Sequence, residues 1–183
     1  RTPPCSSSRL VAPSRTPSSA RTRRRACTAT TTTAPLRTCG GTKDALSVKG
    51  GTASSVTTVT NCGARYASDK VVQHNGHGTV KINGFFAQEF GKLYRSCGTC
   101  GNIARTVTVE NVYAIDPLVS LVTVNKNYGD KATLSNIRIK TSNGNSDVKV
   151  CQWSQGGSTP SNLGDGPSGT LCQYSESDVQ INQ

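Results

Sequence analysis

Short segments that alternate polar and apolar residues recur along the chain from Lys43 onward, separated by glycine and asparagine turns. One series reads SSVTTVTN (54–61), GTVKINGF (78–85), RTVTVENV (105–112) and ATLSNIRI (132–139), with Val56, Val80, Val107 and Leu134 as reference positions 24, 27 and 27 residues apart. A second series, ALSVKGG, DKVVQHN, GKLYRS and SLVTVN, falls between the first. Such alternation is typical of short strands.

No amphipathic run of helix length interrupts these strands. Even spacing of short strands favours a solenoid, and in particular a parallel β-helix in which each coil stacks on its neighbour. The alternative is a β-sandwich, which also contains many short strands. Because two strands recur in every repeat, we predict an all-β parallel β-helix over residues 43–183, preceded by a disordered or disrupted segment over residues 1–42.

Composition agrees with a single all-β domain. The chain has 183 residues, of which 33% are hydrophobic and 18 are glycine, a balance typical of folds with many turns. It contains no apolar run of about 18 residues, so we expect no membrane-spanning helix and no membrane partner. Eight cysteines favour an oxidising, secreted setting.

The first 42 residues differ from the rest. They hold eight arginines and no Asp or Glu, whereas residues 43–183 hold 13 basic and 10 acidic residues, a net charge of +3 against +11 for the whole chain. One interpretation is a solvated, disordered tail rich in Pro, Ser, Thr and Arg. Another is a tail that binds nucleic acid or another polyanion through RTRRR.

A third interpretation is that residues 1–42 are an out-of-frame translation. A shift of one nucleotide allows RTCGG (37–41) to contain NVWW, RLVAPSRTPSSART (9–22) to become EAGGTIKNAIIGAN, and ACTA (26–29) to become GVHC. The shifted strings alternate as strands do, and all three arise in the same frame and in consistent order. We therefore favour the frame-shift interpretation.

The repeat also places charged residues on one face. Asp44 and Lys70 are 26 residues apart, and Lys70 and Lys92 are 22 apart, each about one coil. Residues in register on neighbouring coils lie roughly 4.8 Å apart, so the three predict a ladder, with Arg95 close by. An acid beside two ammonium groups and a guanidinium suggests a site for a cation and a polyanion. The alternative is a solvated, charged strand face.

Four blocks of sequence resemble a known family: DALSVKGG, ASDKVVQHNGHGTVKINGFFAQEFGKLYRSCGTCGN, VNKNYGDKATLSNI and VKVCQW. They are similar to the secreted pectate lyases of polysaccharide lyase family 3, over roughly residues 43–155. The strings GVHC and NVWW are also similar to that family. The resemblance implies a right-handed parallel β-helix, secretion, and calcium-dependent eliminative cleavage of (1→4)-α-D-galacturonan, the de-esterified backbone of pectin.

Carried over by residue, the resemblance places the family's cationic site on Lys70, Lys92 and Arg95. Lys92 or Lys70 is then the expected base, and Arg95 is expected to hold a carboxylate, which its planar fork suits. Asp44 occupies the position of a calcium-binding acid, while Lys43 stands where a Glu is expected. The implied cofactor is Ca²⁺ and the implied partner is polygalacturonate, with no specific nucleic acid and a monomeric state.

The Cys97–x–x–Cys100 pair has three interpretations. No second pair with zinc-site spacing exists, and GNIARTVTV after the pair reads as a strand where a redox motif needs a helix. We therefore expect a structural role, either a mutual disulfide or support of the loop beside Lys92. Cys151 and Cys172 are a second candidate pair, and His74 is expected to be a surface or structural residue in a turn.

Two other classes of function stay open at this stage. One is a non-catalytic pectate-binding or effector-like relative that keeps the fold and cationic groove. The other is a basic protein that binds nucleic acid through residues 1–42.

Overall fold

The computed structural model describes residues 27–30 and 44–183. Its strands join edge to edge into one 11-stranded sheet. The strands are β1 (Cys27–Thr30), β2 (Asp44–Lys49), β3 (Val56–Arg65), β4 (Lys70–His74), β5 (Gly78–Ser96), β6 (Arg105–Asn125), β7 (Lys131–Lys140), β8 (Cys151–Gln155), β9 (Ser161–Asp165), β10 (Cys172–Gln173) and β11 (Val179–Ile181). Short 3₁₀ turns cover Lys126–Tyr128 and Glu176–Asp178.

Parallel pairing links each coil to the next. One face consists of β2, β4, the second half of β5, the second half of β6, and β8. The other consists of β3, the first halves of β5 and β6, and β7. Among the named strands of the described chain, the β8–β9 pair alone is antiparallel. The predicted parallel β-helix is confirmed, and the sandwich alternative is wrong.

One corner of the coils is marked by left-handed backbone. Asn61, Gly84, Asn111 and Asn136 all have positive φ, between 49° and 69°, and the strand register places them on successive rungs. Glycine and asparagine tolerate this conformation best, which is why they recur here. Side-chain amides join the rungs: Asn111 donates to Asn83 at 2.9 Å and Asn136 donates to Asn111 at 2.6 Å. The corner bends each strand of this second face into two segments.

The core lies inside the coils. One column of residues in register on successive coils consists of Val59, Ile82, Val109 and Leu134. Each of these side chains is at most 2% exposed. Burial of such branched side chains in an aligned stack stabilises each coil on the next, at about 25 cal/mol per Å² of apolar surface.

The register differs in detail from the sequence prediction. Val80 pairs with Val107 as predicted, but Val56 lies one residue out of register with Val80, and Leu134 two residues out of register with Val107. Val56 is accordingly 40% exposed. Turn lengths vary between coils, so the register follows burial of the inward residues instead of a constant repeat length.

Within residues 1–42 the structure describes Cys27–Thr30, which form β1 and pair in parallel with β2. β-Branched threonines favour extended backbone, and β2 offers an edge for pairing. The rest of that segment lies outside the described residues. Across the described ranges, we find no helix that combines the length and the apolarity needed to span a bilayer.

Candidate active site

A charged ladder runs across β2, β4 and β5. Asp44 pairs with Lys70, Lys70 with Lys92, and Lys92 with Ser120 of β6. The predicted stacking of the first three is therefore present in the structure. Because neighbouring rungs lie roughly 4.8 Å apart, their side chains share one surface.

Lys70 lies between two carboxylates. Its Nζ is 3.6 Å from Asp44 Oδ1, and it also contacts Asp69 Oδ2. The Lys70 side chain is 22% exposed and that of Asp69 is 52% exposed. Sequence reasoning missed Asp69, although its position directly before Lys70 in the block ASDKVVQ was a usable signal.

Lys92 lies beside Lys70 in this ladder, three residues before Arg95 on the same strand. It is partly buried, and its pKa is lowered from 10.5 to about 8, first by burial and then by the positive charge of Arg95. Lys70 acts in the same direction and Asp69 in the opposite one. Burial and like charge both disfavour an ammonium, so the site favours a neutral amine at Lys92.

Arg95 lies three residues after Lys92 on β5, in register with Gln73 of β4 and Thr123 of β6. It is 9% exposed, and Nη1 donates to Ser154 Oγ at 3.2 Å. Burial lowers its pKa, while Asp130 and Asp69 act in the opposite direction. A guanidinium stays charged despite such a shift, so Arg95 brings a fixed cation next to Lys92.

A buried polar network supports this column. The Ser154 hydroxyl lies 3.2 Å from Asn125 Oδ1. Asn125 Nδ2 in turn contacts Ser96 Oγ at 3.1 Å and Asp130 Oδ2 at 3.2 Å. Asp130 also accepts the backbone N–H of Arg105 at 2.9 Å. Asp130 is thus a buried acid that links the ends of β5 and β6 to the start of β6 through hydrogen bonds to Asn125 and Arg105.

Asp44 is the residue that fits a metal ion. Its Oδ1 is buried and has no hydrogen-bond partner among the described residues, and Lys70 Nζ lies beyond hydrogen-bond distance. Such an oxygen suits a hard cation, but Ca²⁺ takes six to eight oxygen ligands. Residues 27–30 and 44–183 contain no cluster of three or more His, Cys, Asp or Glu that could hold a metal. Asp44 therefore fits as one ligand of a larger set; Lys43 lies outside the described residues.

Both predicted cysteine pairs are disulfides. Cys97 bonds Cys100 with a Cα–Cα distance of 5.6 Å, and Cys151 bonds Cys172 with a Cα–Cα distance of 6.0 Å. The first lies at the end of β5, so the CxxC motif beside Lys92 is structural and not a zinc site.

His74 is fully buried. Its Nδ1 lies 2.8 Å from the Tyr94 hydroxyl, and burial lowers its pKa from 6.5 to about 4. The structural role expected of His74 is confirmed, while a surface position is wrong.

The stacked parallel strands and the ladder of Asp44, Lys70 and Lys92 define the class of parallel β-solenoids with a charged strand face. Within that class, the chain belongs to the pectate lyase family: the family model described as "Pectate lyase" matches residues 37–159. The family resemblance stated from the sequence is confirmed.

Curated fungal proteins support this membership. The chain is 46% identical over 140 residues to a probable pectate lyase D of Emericella nidulans, covering 73% of this chain and 50% of that protein. It is also 46% identical over 139 residues to a probable pectate lyase D of Aspergillus fumigatus, covering 73% of this chain and 54% of that protein. The chain thus spans about half the length of these relatives.

Solved structures agree. The catalytic domain of pectate lyase PelI from Erwinia chrysanthemi aligns with a TM-score of 0.66 at 28% identity, covering 80% of this chain and 71% of that one. PelI in complex with tetragalacturonic acid aligns with a TM-score of 0.62 at 29% identity, covering 80% of this chain and 54% of that one.

The frame-shift interpretation of residues 1–42 finds no support in these comparisons. The match to the family model begins at residue 37, inside the segment that the interpretation assigns to the wrong frame. The division at residues 42 and 43 stays a prediction.

Proposed function

We propose that the chain is the β-helical part of a secreted pectate lyase, which cleaves (1→4)-α-D-galacturonan by elimination. The observation that carries the proposal is the partly buried amine of Lys92, with its pKa lowered to about 8 beside Arg95. Family membership supports the reaction class. PelI was solved with tetragalacturonic acid, which supports an acidic galacturonate chain as the substrate.

Lys92 is the proposed base. The C5 proton of a galacturonate is weakly acidic, so its removal needs a neutral amine held within reach. A pKa of about 8 leaves a useful neutral fraction near neutral pH. The amine takes the C5 proton, the C5–H electrons form the C4=C5 double bond, and the 4-linked oxygen departs with its bonding electrons and then gains a proton.

Arg95 and Lys70 are proposed to hold the substrate. The Arg95 fork suits a uronate carboxylate, and its fixed charge stabilises the negative charge that develops as the C5 proton leaves. Lys70 is a weaker candidate for the base, because its ammonium already contacts Asp44 and Asp69. Its charge adds to the field around Lys92.

Asp44 is the proposed calcium ligand in the described part of the chain, as its orphaned Oδ1 suggests. When bound, calcium would supply further positive charge against the substrate carboxylate. The family's use of calcium supports this assignment. The structural disulfides at Cys97–Cys100 and Cys151–Cys172 support secretion, and we propose that the secreted protein is a monomer.

The proposal is tested with the full chain expressed through an oxidising secretory route and incubated with polygalacturonate and calcium. We expect ultraviolet absorbance from unsaturated oligogalacturonides. Lys92→Ala should lower the rate at least about a hundredfold, while Lys131→Ala, an exposed lysine on β7, should leave it unchanged.

The second candidate is a pectate-binding relative without catalysis, which is favoured by Lys43 in place of the expected Glu. Retained binding to polygalacturonate with no unsaturated product would establish it. Equal activity of wild-type and Lys92→Ala chains would refute the assignment of the base.

A further inference from the structure

Gly98 lies directly against the guanidinium of Arg95. A Cβ added at Gly98 would lie 2.9 Å from Arg95 Nη2 and 2.8 Å from Pro160 Cγ. The φ of Gly98 is outside the left-handed region, so glycine is required here for space and not for backbone conformation. Any side chain at this position must displace Arg95, Pro160 or the loop itself.

The loop that carries Gly98 is fixed from both ends. The disulfide joins Cys97 to Cys100, and the Cys97 carbonyl accepts Asn125 Nδ2 at 3.2 Å. The Gly98 carbonyl accepts the Tyr128 hydroxyl at 2.9 Å and the Gly157 N–H at 2.8 Å. The loop therefore cannot retreat easily from Arg95.

Ser154 holds the guanidinium at a second point. Arg95 Nη1 donates to Ser154 Oγ at 3.2 Å, and Ser154 is 1% exposed. An arginine side chain loses rotamer freedom when it is fixed, which costs free energy. In this protein the fold fixes the Arg95 side chain before the substrate binds, and such pre-organisation favours catalysis.

We propose that Gly98, held by the Cys97–Cys100 loop, and Ser154 are positioning residues that orient Arg95 for the substrate carboxylate. The inference rests on the role given to Arg95 under the proposed function. The inference makes the Cys97–Cys100 loop a rigid wall of the active site. The family resemblance assigns only the cationic residues to that site.

The first test compares two glycine variants of the full chain. Gly98→Ala should raise KM for polygalacturonate and lower kcat/KM about ten- to a hundredfold, since misplacement by about 1 Å has effects of this size. Gly157→Ala is the matched control: nothing lies within 4 Å of its added Cβ, and its N–H to Gly98 is kept. We expect Gly157→Ala to stay within twofold of wild type.

A double-variant cycle shows whether Gly98 acts through Arg95. In an Arg95→Gln background, Gly98→Ala should cause little further loss. The same fold loss in both backgrounds would overturn the proposal, because it would mean that the loop supports the site in general. If Gly98→Ala does not fold, the same double-variant cycle is run with Ser154→Ala. This substitution removes the hydrogen bond from Arg95 to Ser154 and adds no volume.

A measurement without catalysis separates this inference from the proposed function. The Nε–H signal of Arg95 in NMR spectra should be ordered in the wild type and in Gly157→Ala, and mobile in Gly98→Ala. That pattern supports the positioning role even if the chain yields no unsaturated product. An equally mobile Arg95 in all three chains overturns it even if the chain is an active lyase.

Discussion

Asp44 and Lys70 face each other on neighbouring rungs of one sheet, with the ammonium 3.6 Å from a carboxylate oxygen that has no hydrogen bond of its own. Both side chains are partly exposed, at 30% and 22%, so their mutual attraction contributes little to stability. The arrangement instead keeps a carboxylate available to a cation, with a lysine beside it.

Asp44→Asn should weaken calcium binding at least about tenfold, because one anionic oxygen ligand is lost. The measurement is a calcium titration of the full chain by calorimetry. Asp165→Asn is the control, because Asp165 is an acid on β9 whose ion pair with Lys149 spans 3.9 Å. Equal calcium affinity in the wild-type and Asp44→Asn chains would rule Asp44 out as a ligand.

The rate of elimination should rise with pH and level off above about pH 8, where Lys92 becomes neutral. The sign follows from the pKa: below it the amine is charged and cannot accept a proton. Arg95→Gln should move this acid limb upward, because the Arg95 charge is the second cause of the lowered pKa. Both statements are checked by measuring kcat as a function of pH. If the acid limb of the Arg95→Gln profile lies at the same pH as that of wild type, the charge of Arg95 does not lower the pKa of Lys92.

His74 should make the protein less stable in acid. Its pKa is about 4 in the folded state against 6.5 in a model peptide, so the unfolded state binds the extra proton between those values. Stability therefore falls as pH drops from about 6.5 to 4, by up to about 3 kcal/mol for this group. Urea unfolding of wild type and His74→Phe across this range measures the difference in slope.

His77→Asn serves as the control for that comparison. His77 accepts a contact from His74 through its backbone carbonyl, at 3.3 Å from Nε2, which the substitution preserves. We expect the His77→Asn chain to keep most of the acid slope of wild type, because the charge of His77 is the smallest of the causes that act on the pKa of His74. If the free energy of unfolding falls equally steeply with pH in wild type and His74→Phe, groups other than His74 cause the loss of stability in acid.

The Cys151–Cys172 disulfide should be a major source of stability for the C-terminal coil. It links residues 21 apart in sequence, and closing a loop of that size stabilises by about 3 kcal/mol in the chain-entropy model. The Cys151→Ser, Cys172→Ser double variant should unfold at correspondingly lower urea concentration. An unchanged midpoint would show that buried packing alone holds the coil.

The sequence predicted the β-helix and the stacking of Asp44, Lys70 and Lys92 because both depend on periodicity, which is visible in one dimension. It failed on the register of Val56 and Leu134, because turns of different length absorb residues between coils. The pairing of β1 with the edge of β2 is likewise a tertiary contact, because the residues of β1 lack a clear alternation.

The contacts that shape the candidate site were beyond sequence reasoning. Ser154 meets Arg95 across 59 residues, and Gly98 approaches Arg95 closely because Tyr128 and Gly157 hold its loop in place. No local sequence pattern predicts these long-range contacts.

By itself, therefore, the sequence determined the architecture, the family and the charged residues of one face, since strand period and residue type are sufficient for these. Only the tertiary structure decided which lysine has a lowered pKa and how Arg95 is held. Both depend on burial and on neighbours several coils away, because desolvation and close packing are properties of the folded surroundings and not of the residue.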